Sequence, residues 1–388
     1  MDAEGFTERA YGKLTRTPEG DVAFVPNPAP RVLELSGESV ALLDEASHGL
    51  GLLAGIGRRL PNPHLLIAPY LRREAVLSSR IEGTITSLSD IYAFEAEQLA
   101  LIQAPDVQEV RKYVLAYEYG LERLSTLPLS LRFVREVHER LMTGVRSGGL
   151  QPGRFRTYQN WIGGATARDA AYVPPPSGPM QECLDDFERF LHERTLRPLV
   201  QAAAVHYQFE AIHPFGDGNG RVGRLLVLLF LAERGLLPQP LLYLSAFFER
   251  TRATYYDSLL RVSTHGDWDS WIRYFLEAVR VQARDAADLA DGLLGLQTRY
   301  RAALQSSRTT ANALALVDHL FVNPIVSASS VQRAFGISAP TALATIRALE
   351  REGIVREITG RRWGMAFQAD EIFDLLRGET TPESAKNN

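Results

Sequence analysis

Along most of the chain apolar residues recur every three or four positions, and strict alternation is scarce until the C-terminal end. Helices are predicted over 32–60, 65–79, 89–103, 107–125, 130–143, 179–192, 199–212, 222–233, 245–263 and 267–304. Pro61-Asn62-Pro63 separates the first two, because proline cannot continue a helix and pushes the residue before it to extended backbone. Residues 1–30 are polar, carry Pro18, Pro26, Pro28 and Pro30, and read as an extended arm. The predicted body is all-α. Beyond Thr309 the pattern changes to helices over 310–321, 329–335 and 339–352, the last with Pro340 in its first turn. Two alternating runs, 354–359 and 362–367, then flank Gly360-Arg361. Helix, helix, helix, hairpin is the order of a winged helix. The expected units are an arm (1–30), an N-terminal helical region (31–110), a helical core (111–305), a winged-helix domain (309–378) and a disordered tail (379–388).

One stretch interrupts the helical regularity. His213-Pro214-Phe215-Gly216-Asp217-Gly218-Asn219-Gly220-Arg221, continued by Val222-Gly223-Arg224, lies before an apolar helix that belongs in the centre of a domain. Gly216, Gly218 and Gly220 permit φ > 0 and remove the Cβ that would keep a ligand off the backbone. Amide groups at such a loop and at the following helix start are unpaired, which makes an anion site. Arg221 and Arg224, three apart, share one face of that helix's first turn, where cations oppose the dipole unless an anion lies between them. Asp217 offers an oxygen to the kind of divalent cation that accompanies phosphates. His213 supplies a base that titrates near neutral pH. A histidine at a helix end is usually structural. Here base, acid, glycines and arginines fall within twelve residues, and together they read as a polyphosphate cradle with a general base at its edge.

At every specified position the stretch resembles the signature of Fic proteins, His-x-Phe-x-Asp/Glu-Gly-Asn-Gly-Arg-x-x-Arg. The resemblance implies a Fic-type helical bundle with a small β-hairpin flap, and transfer of AMP from ATP to a hydroxyl on a target protein. It implies that His213 takes the hydroxyl proton and Asp217 holds Mg²⁺. Gly218, Asn219, Gly220 and Gly223 would contact the nucleotide, with Arg221 and Arg224 on the outer phosphates. Upstream, 71–84 read alone is a helix end, with Gly83 suited to a left-handed cap and Glu82 an acid at the unfavourable pole. Beside such a core, Ser78-x-x-x-Glu82-Gly83 resembles the family's inhibitory motif. That implies a charge-assisted Glu82–Arg224 pair in the space of the γ-phosphate, so that the enzyme is restrained at rest.

Two further stretches gain meaning from the resemblance. Residues 153–176, with Tyr158, Trp161, Gly163, Gly164 and Tyr172, read alone as a surface hairpin packed by its aromatics. The resemblance makes 158–173 a flap on which an extended target segment is laid by backbone hydrogen bonds, presenting a Tyr, Thr or Ser hydroxyl. In the aromatic run 247–257 it places Tyr256 against the adenosine end of ATP, while Thr251 stands where relatives often carry Asn. His206 reads as a core histidine with a backbone partner.

Composition adds bounds. A chain of 388 residues is long enough for two or three cores, and a formal charge of −4 gives no global pull toward nucleic acid or an anionic membrane. The single cysteine, Cys183, excludes an internal disulfide, no signal-peptide pattern appears, and the apolar run 225–232 is too short to span a bilayer. A soluble cytoplasmic protein is expected. In the C-terminal unit Arg347, Arg351, Arg361 and Arg362 are offset by Glu350, Glu352, Asp370, Glu371 and Asp374, so protein docking or dimer positioning is favoured over DNA binding. Self-modification and a homodimer are further expectations. Three alternatives remain on the sequence: transfer of another nucleotide or phosphate group, removal of AMP with Glu82 positioning a water, and a nucleotide-sensing DNA-binding regulator.

Overall fold

A computed structural model describes residues 1–59, 64–96, 105–145, 151–306 and 310–378. Its centre is made by α7 (Pro198–Ile212) and α8 (Asn219–Glu233), which pack on each other. From Leu199 to Ile212 every α7 residue is buried except Glu210. Elements apolar all round demand such enclosure. Around them lie α4 (Pro105–Arg123), α5 (Leu131–Met142) and α6 (Ser177–His192). The long α11 (Trp268–Ser306) runs beside α1 (Gly37–Arg59).

Helix α2 (His64–Ile81) leads to Glu82 and is gripped from several sides. It packs against α4, against α9 (Ser245–Arg250) and against α12 (Ala311–Val322). Glu74 fixes it: the buried carboxylate accepts from the Ser245 N–H at 3.0 Å, the Ser245 hydroxyl at 2.5 Å and the Tyr113 hydroxyl at 3.2 Å. The short α3 (Leu88–Glu95) follows, opened by a Ser87–Asp90 capping box.

Several expectations change. The supposed extended arm is an antiparallel hairpin, β1 (Gly12–Arg16) with β2 (Val22–Pro26), and Phe24 is fully buried. Its turn carries Gly20 at φ 90°, and the prolines flank the strands instead of preventing them. Residues 245–263 are not one helix, because Thr251 breaks them into α9 and α10 (Arg252–His265). The Thr251 hydroxyl donates to the Phe247 carbonyl at 2.7 Å and lies 2.8 Å from the Tyr274 hydroxyl, so it does not face a ligand. The flap region forms one antiparallel bridge, Ile162 with Tyr172.

In the C-terminal unit α12 is followed by β3 (Ile325–Ser327), α13 (Ala328–Phe335), α14 (Ala339–Arg351), β4 (Arg356–Glu357), β5 (Ala366–Gln368) and α15 (Asp370–Arg377). The sheet order is β3-β5-β4, antiparallel throughout. The hairpin strands are shorter than their alternation suggested, and β3 and α15 are additions. The proposed tail at 379–388 lies outside the described residues. Among the described residues no helix is long and apolar enough to cross a membrane.

Candidate active site

Where α7 ends, His213 turns the chain with φ 49° and ψ 60°, the one left-handed non-glycine backbone among the described residues. That conformation costs an L-residue about 1–2 kcal/mol, and Arg156 holds it. The buried guanidinium donates to the carbonyls of His213 at 3.0 Å, Tyr158 at 3.1 Å, Pro175 at 2.6 Å and Ile212 at 3.4 Å. Asn219 closes the loop that follows. Its side-chain oxygen accepts from the Phe215 N–H and its amide donates to the Phe215 carbonyl, both at 2.8 Å. His138 supports the loop from below, stacked on Phe215 at 3.7 Å and within 3.0 Å of the Asp217 carbonyl. Gly218 starts α8 at φ 77°, its N–H donating to Asp217 at 2.6 Å.

A cleft of about 720 Å³ opens beside this loop, bordered by His213, Gly220, Arg224, Glu82, Tyr256 and Trp161. Arg224 is 2 % exposed, and its Nη2 donates to Glu82 at 2.6 Å and to the Ser78 carbonyl at 3.0 Å, while Nε donates to the Ser78 hydroxyl at 2.9 Å. The Glu82 carboxylate lies over Gly220, where any Cβ would run into it. Burial pushes the Glu82 carboxyl up, but the Arg224 guanidinium beside it, with Arg221 and His213 behind, holds it below the ordinary value. Burial and the nearby Arg156 depress His213 to about 4, against a smaller opposing pull from Glu82. The imidazole is therefore neutral near pH 7; its Nδ1 makes no side-chain hydrogen bond, and the Glu210 backbone is its neighbour on that side. Glu210, 3.9 Å from that nitrogen, is driven by burial up to about 8, Arg224 lowering it and Glu82 raising it.

Comparison with known proteins adds to this geometry. Residues 40–122 match the family model described as Fic/DOC family N-terminal, and 128–231 match Fic/DOC family. The chain is similar to "Protein adenylyltransferase Fic" of Drosophila sechellia, at 28% identity over 204 residues, and of Drosophila virilis, at 31% over 204. These matches span 51% of this chain and only 38% and 39% of the two relatives. In fold it is similar to a Fic family protein from Desulfovibrio desulfuricans, with a TM-score of 0.58 and 21% identity over 88% of this chain and 98% of that one. A Fic domain containing signaling protein from Bacteroides thetaiotaomicron gives 0.50 and 17% over 65% and 96%.

The chain belongs to the Fic family. In this Fic protein His213, Gly220, Arg224, Glu82 and Tyr256 border one cleft, Tyr256 being 40 % exposed. Ser78 sits behind Arg224. Three of the expected residues are turned elsewhere. Arg221 does not share the cleft with Arg224. It is buried toward α4 and α5, its Nη1 3.3 Å from Glu109 and its Nη2 3.6 Å from the Met142 sulfur. The Asn219 side chain is consumed by the loop, so only its backbone is left for a ligand. Gly223 likewise faces another way, making room for Glu210 and Phe209. Sequence reading did not single out Arg156 or Glu210. Arg156 lies in a stretch read for its aromatics and glycines, and Glu210 is the single acid in an otherwise buried helix, which was an available signal. His206 is a core histidine with the Gly223 backbone beside it, and its Nε2 also lies 2.7 Å from the Tyr255 hydroxyl.

Proposed function

We propose that this Fic protein is an adenylyltransferase that moves AMP from ATP to a hydroxyl of a protein, and that Glu82 restrains it. One observation carries the reading: a neutral imidazole borders the same cleft as a helix N-terminus and an arginine engaged by a carboxylate. In the reaction the substrate oxygen bonds to the α-phosphorus, the bond from that phosphorus to the β-bridging oxygen breaks, and pyrophosphate leaves. His213 accepts the hydroxyl proton. The backbone amides of the glycine loop stabilise charge on the phosphates, in the manner of a helix N-terminus. Tyr256 flanks the end of the cleft where the nucleoside would lie.

No cluster of three His, Cys, Asp or Glu side chains is set for a metal among the described residues. Asp217, with a side chain 49 % exposed, fits a magnesium ion whose other ligands are phosphates and water. Bound there, such an ion would neutralise phosphate charge. The restraint follows from occupancy: Glu82 holds the arginine an outer phosphate would take and adds a negative charge where the nucleotide's tail would lie. The flap edge around 158–173, with Trp161 and Tyr158 half exposed, suits an extended target segment. For the C-terminal unit we favour protein docking over DNA, since Arg347 is paired with Glu350 and Arg356 with Asp370.

The test uses ATP labelled at the α-phosphate. Glu82→Gly should raise self-labelling at least tenfold over the natural chain, and adding His213→Ala should remove it. Equal labelling by the natural chain and Glu82→Gly would reject the restraint, and labelling that survives His213→Ala would reject the base.

A further inference from the structure

Glu210 has no part in the scheme above, yet its placement is specific. The Nδ1 of His213 is buried with no side-chain hydrogen bond, Glu210 Oε2 stands 3.9 Å from it, and the Glu210 backbone carbonyl is the ring's other neighbour. A buried ring nitrogen without a full-strength partner is costly, and a carboxyl oxygen this near points to a state in which the two meet. Gly223 makes the niche, since a Cβ there would run into Oε1. The charged and titratable groups around the pair are Arg224 on α8, Glu82 after α2, Tyr255 and Tyr256 on α10, Arg156 before the flap and Asp217 in the loop.

We propose that Glu210 is the positioning residue of the general base: as a carboxylate it accepts the Nδ1–H of His213, which leaves the Nε2 lone pair as the acceptor for the incoming proton. When Nε2 takes the hydroxyl proton the ring becomes a cation, and the Glu210 carboxylate offsets that charge while the Nδ1 proton stays on the ring. The tautomer assignment stands on geometry alone; its kinetic consequence rests on the adenylyl-transfer reading. Raised by burial, Glu210 titrates at about 8 while Glu82 is in place. Removing the Glu82 charge removes a repulsion, so its ionisation then falls below 8.

The tautomer is read by nitrogen NMR of histidine-labelled full-length protein, with His213→Ala identifying the resonance. At pH 9 the natural chain should hold the Nδ1–H form, Glu210→Gln should keep it through its amide oxygen, and Glu210→Met should shift to the Nε2–H form usual for free histidine. In a Glu82→Gly background, Glu210→Met should lower kcat about 100-fold with KM for ATP unchanged. Glu210→Gln should flatten the rise of kcat/KM between pH 6 and 8. An Nδ1–H form retained in Glu210→Met overturns the assignment, as does an effect confined to KM. If Glu82→Gly transfers no label at all, the transfer reading fails on its own, and the NMR result still decides the role of Glu210.

Discussion

Gly218 and Gly220 are two residues apart and exist as glycines for different reasons. At Gly218 the backbone itself is the constraint, with φ at 77° and a would-be Cβ 2.7 Å from the Met142 sulfur. Gly218→Ala should lose about 2 kcal/mol, from the left-handed backbone and the displaced methionine together, seen as a lower urea midpoint with unchanged m. At Gly220 the backbone is helical and what matters is room for the Glu82 carboxylate. The sequence made the glycine loop, its histidine and the Glu82–Arg224 partnership legible, because each sits in a tight local spacing. It turned Arg221, Asn219 and Gly223 toward the nucleotide, and the structure turns them elsewhere. Spacing does not tell which neighbour approaches a helix position: Met142 and Glu109, far along the chain, take Arg221, Glu210 on the preceding helix takes the room at Gly223, and Phe215, four residues back, takes the Asn219 side chain.

Among the elements, α2 links the cleft to the rest of the chain. It carries Ser78 and leads to Glu82 at one end of its packing surface, and Glu74, one turn before Ser78, anchors it to α4 and α9. Glu74→Ala would leave the Ser245 N–H and the Tyr113 hydroxyl unpaired, costing about 1–3 kcal/mol for the unsatisfied groups. We expect a lower thermal midpoint and, with α2 loosened, self-labelling above that of the natural chain. A destabilised variant that labels no more than the natural chain would show that the anchor serves folding alone. Most helices were readable from periodicity to within a few residues, α2 and α4 among them. The β1–β2 hairpin was not, because prolines and polar residues at its margins mask the buried strand around Phe24. The division at Thr251 was hidden for a related reason: the aromatic spacing continues through a break made by backbone angles.

At the scale of the whole molecule, buried ionisable groups set a pH window. Burial lowers His138 to about 4 and His206 to about 3, and burial with Arg156 lowers His213 to about 4. The unfolded chain therefore takes up protons at these rings first, and stability falls as pH drops from about 6.5 toward 4. Glu210 acts in the opposite sense. With a folded value of about 8, it keeps a proton that the unfolded chain releases near 4.5, so its contribution fades as pH rises to 8. Burial also lowers His319 and raises Glu74, so four rings face two carboxyls between pH 5 and 6.5, and the urea midpoint should climb through that range and decline between 7 and 8. Glu210→Gln should shrink the decline and leave the climb, and a midpoint independent of pH from 5 to 8 would contradict this account.

Arg156 spends its donors on carbonyls at both ends of the 158–175 excursion and on the residue that bears the imidazole. The flap and the base thus share a single hinge pin. The excursion cannot swing outward without releasing His213 from its left-handed turn. On the proposed reading, a substrate that levered the flap aside would disarm the site it was approaching, so entry would run along the edge, with the latch closed.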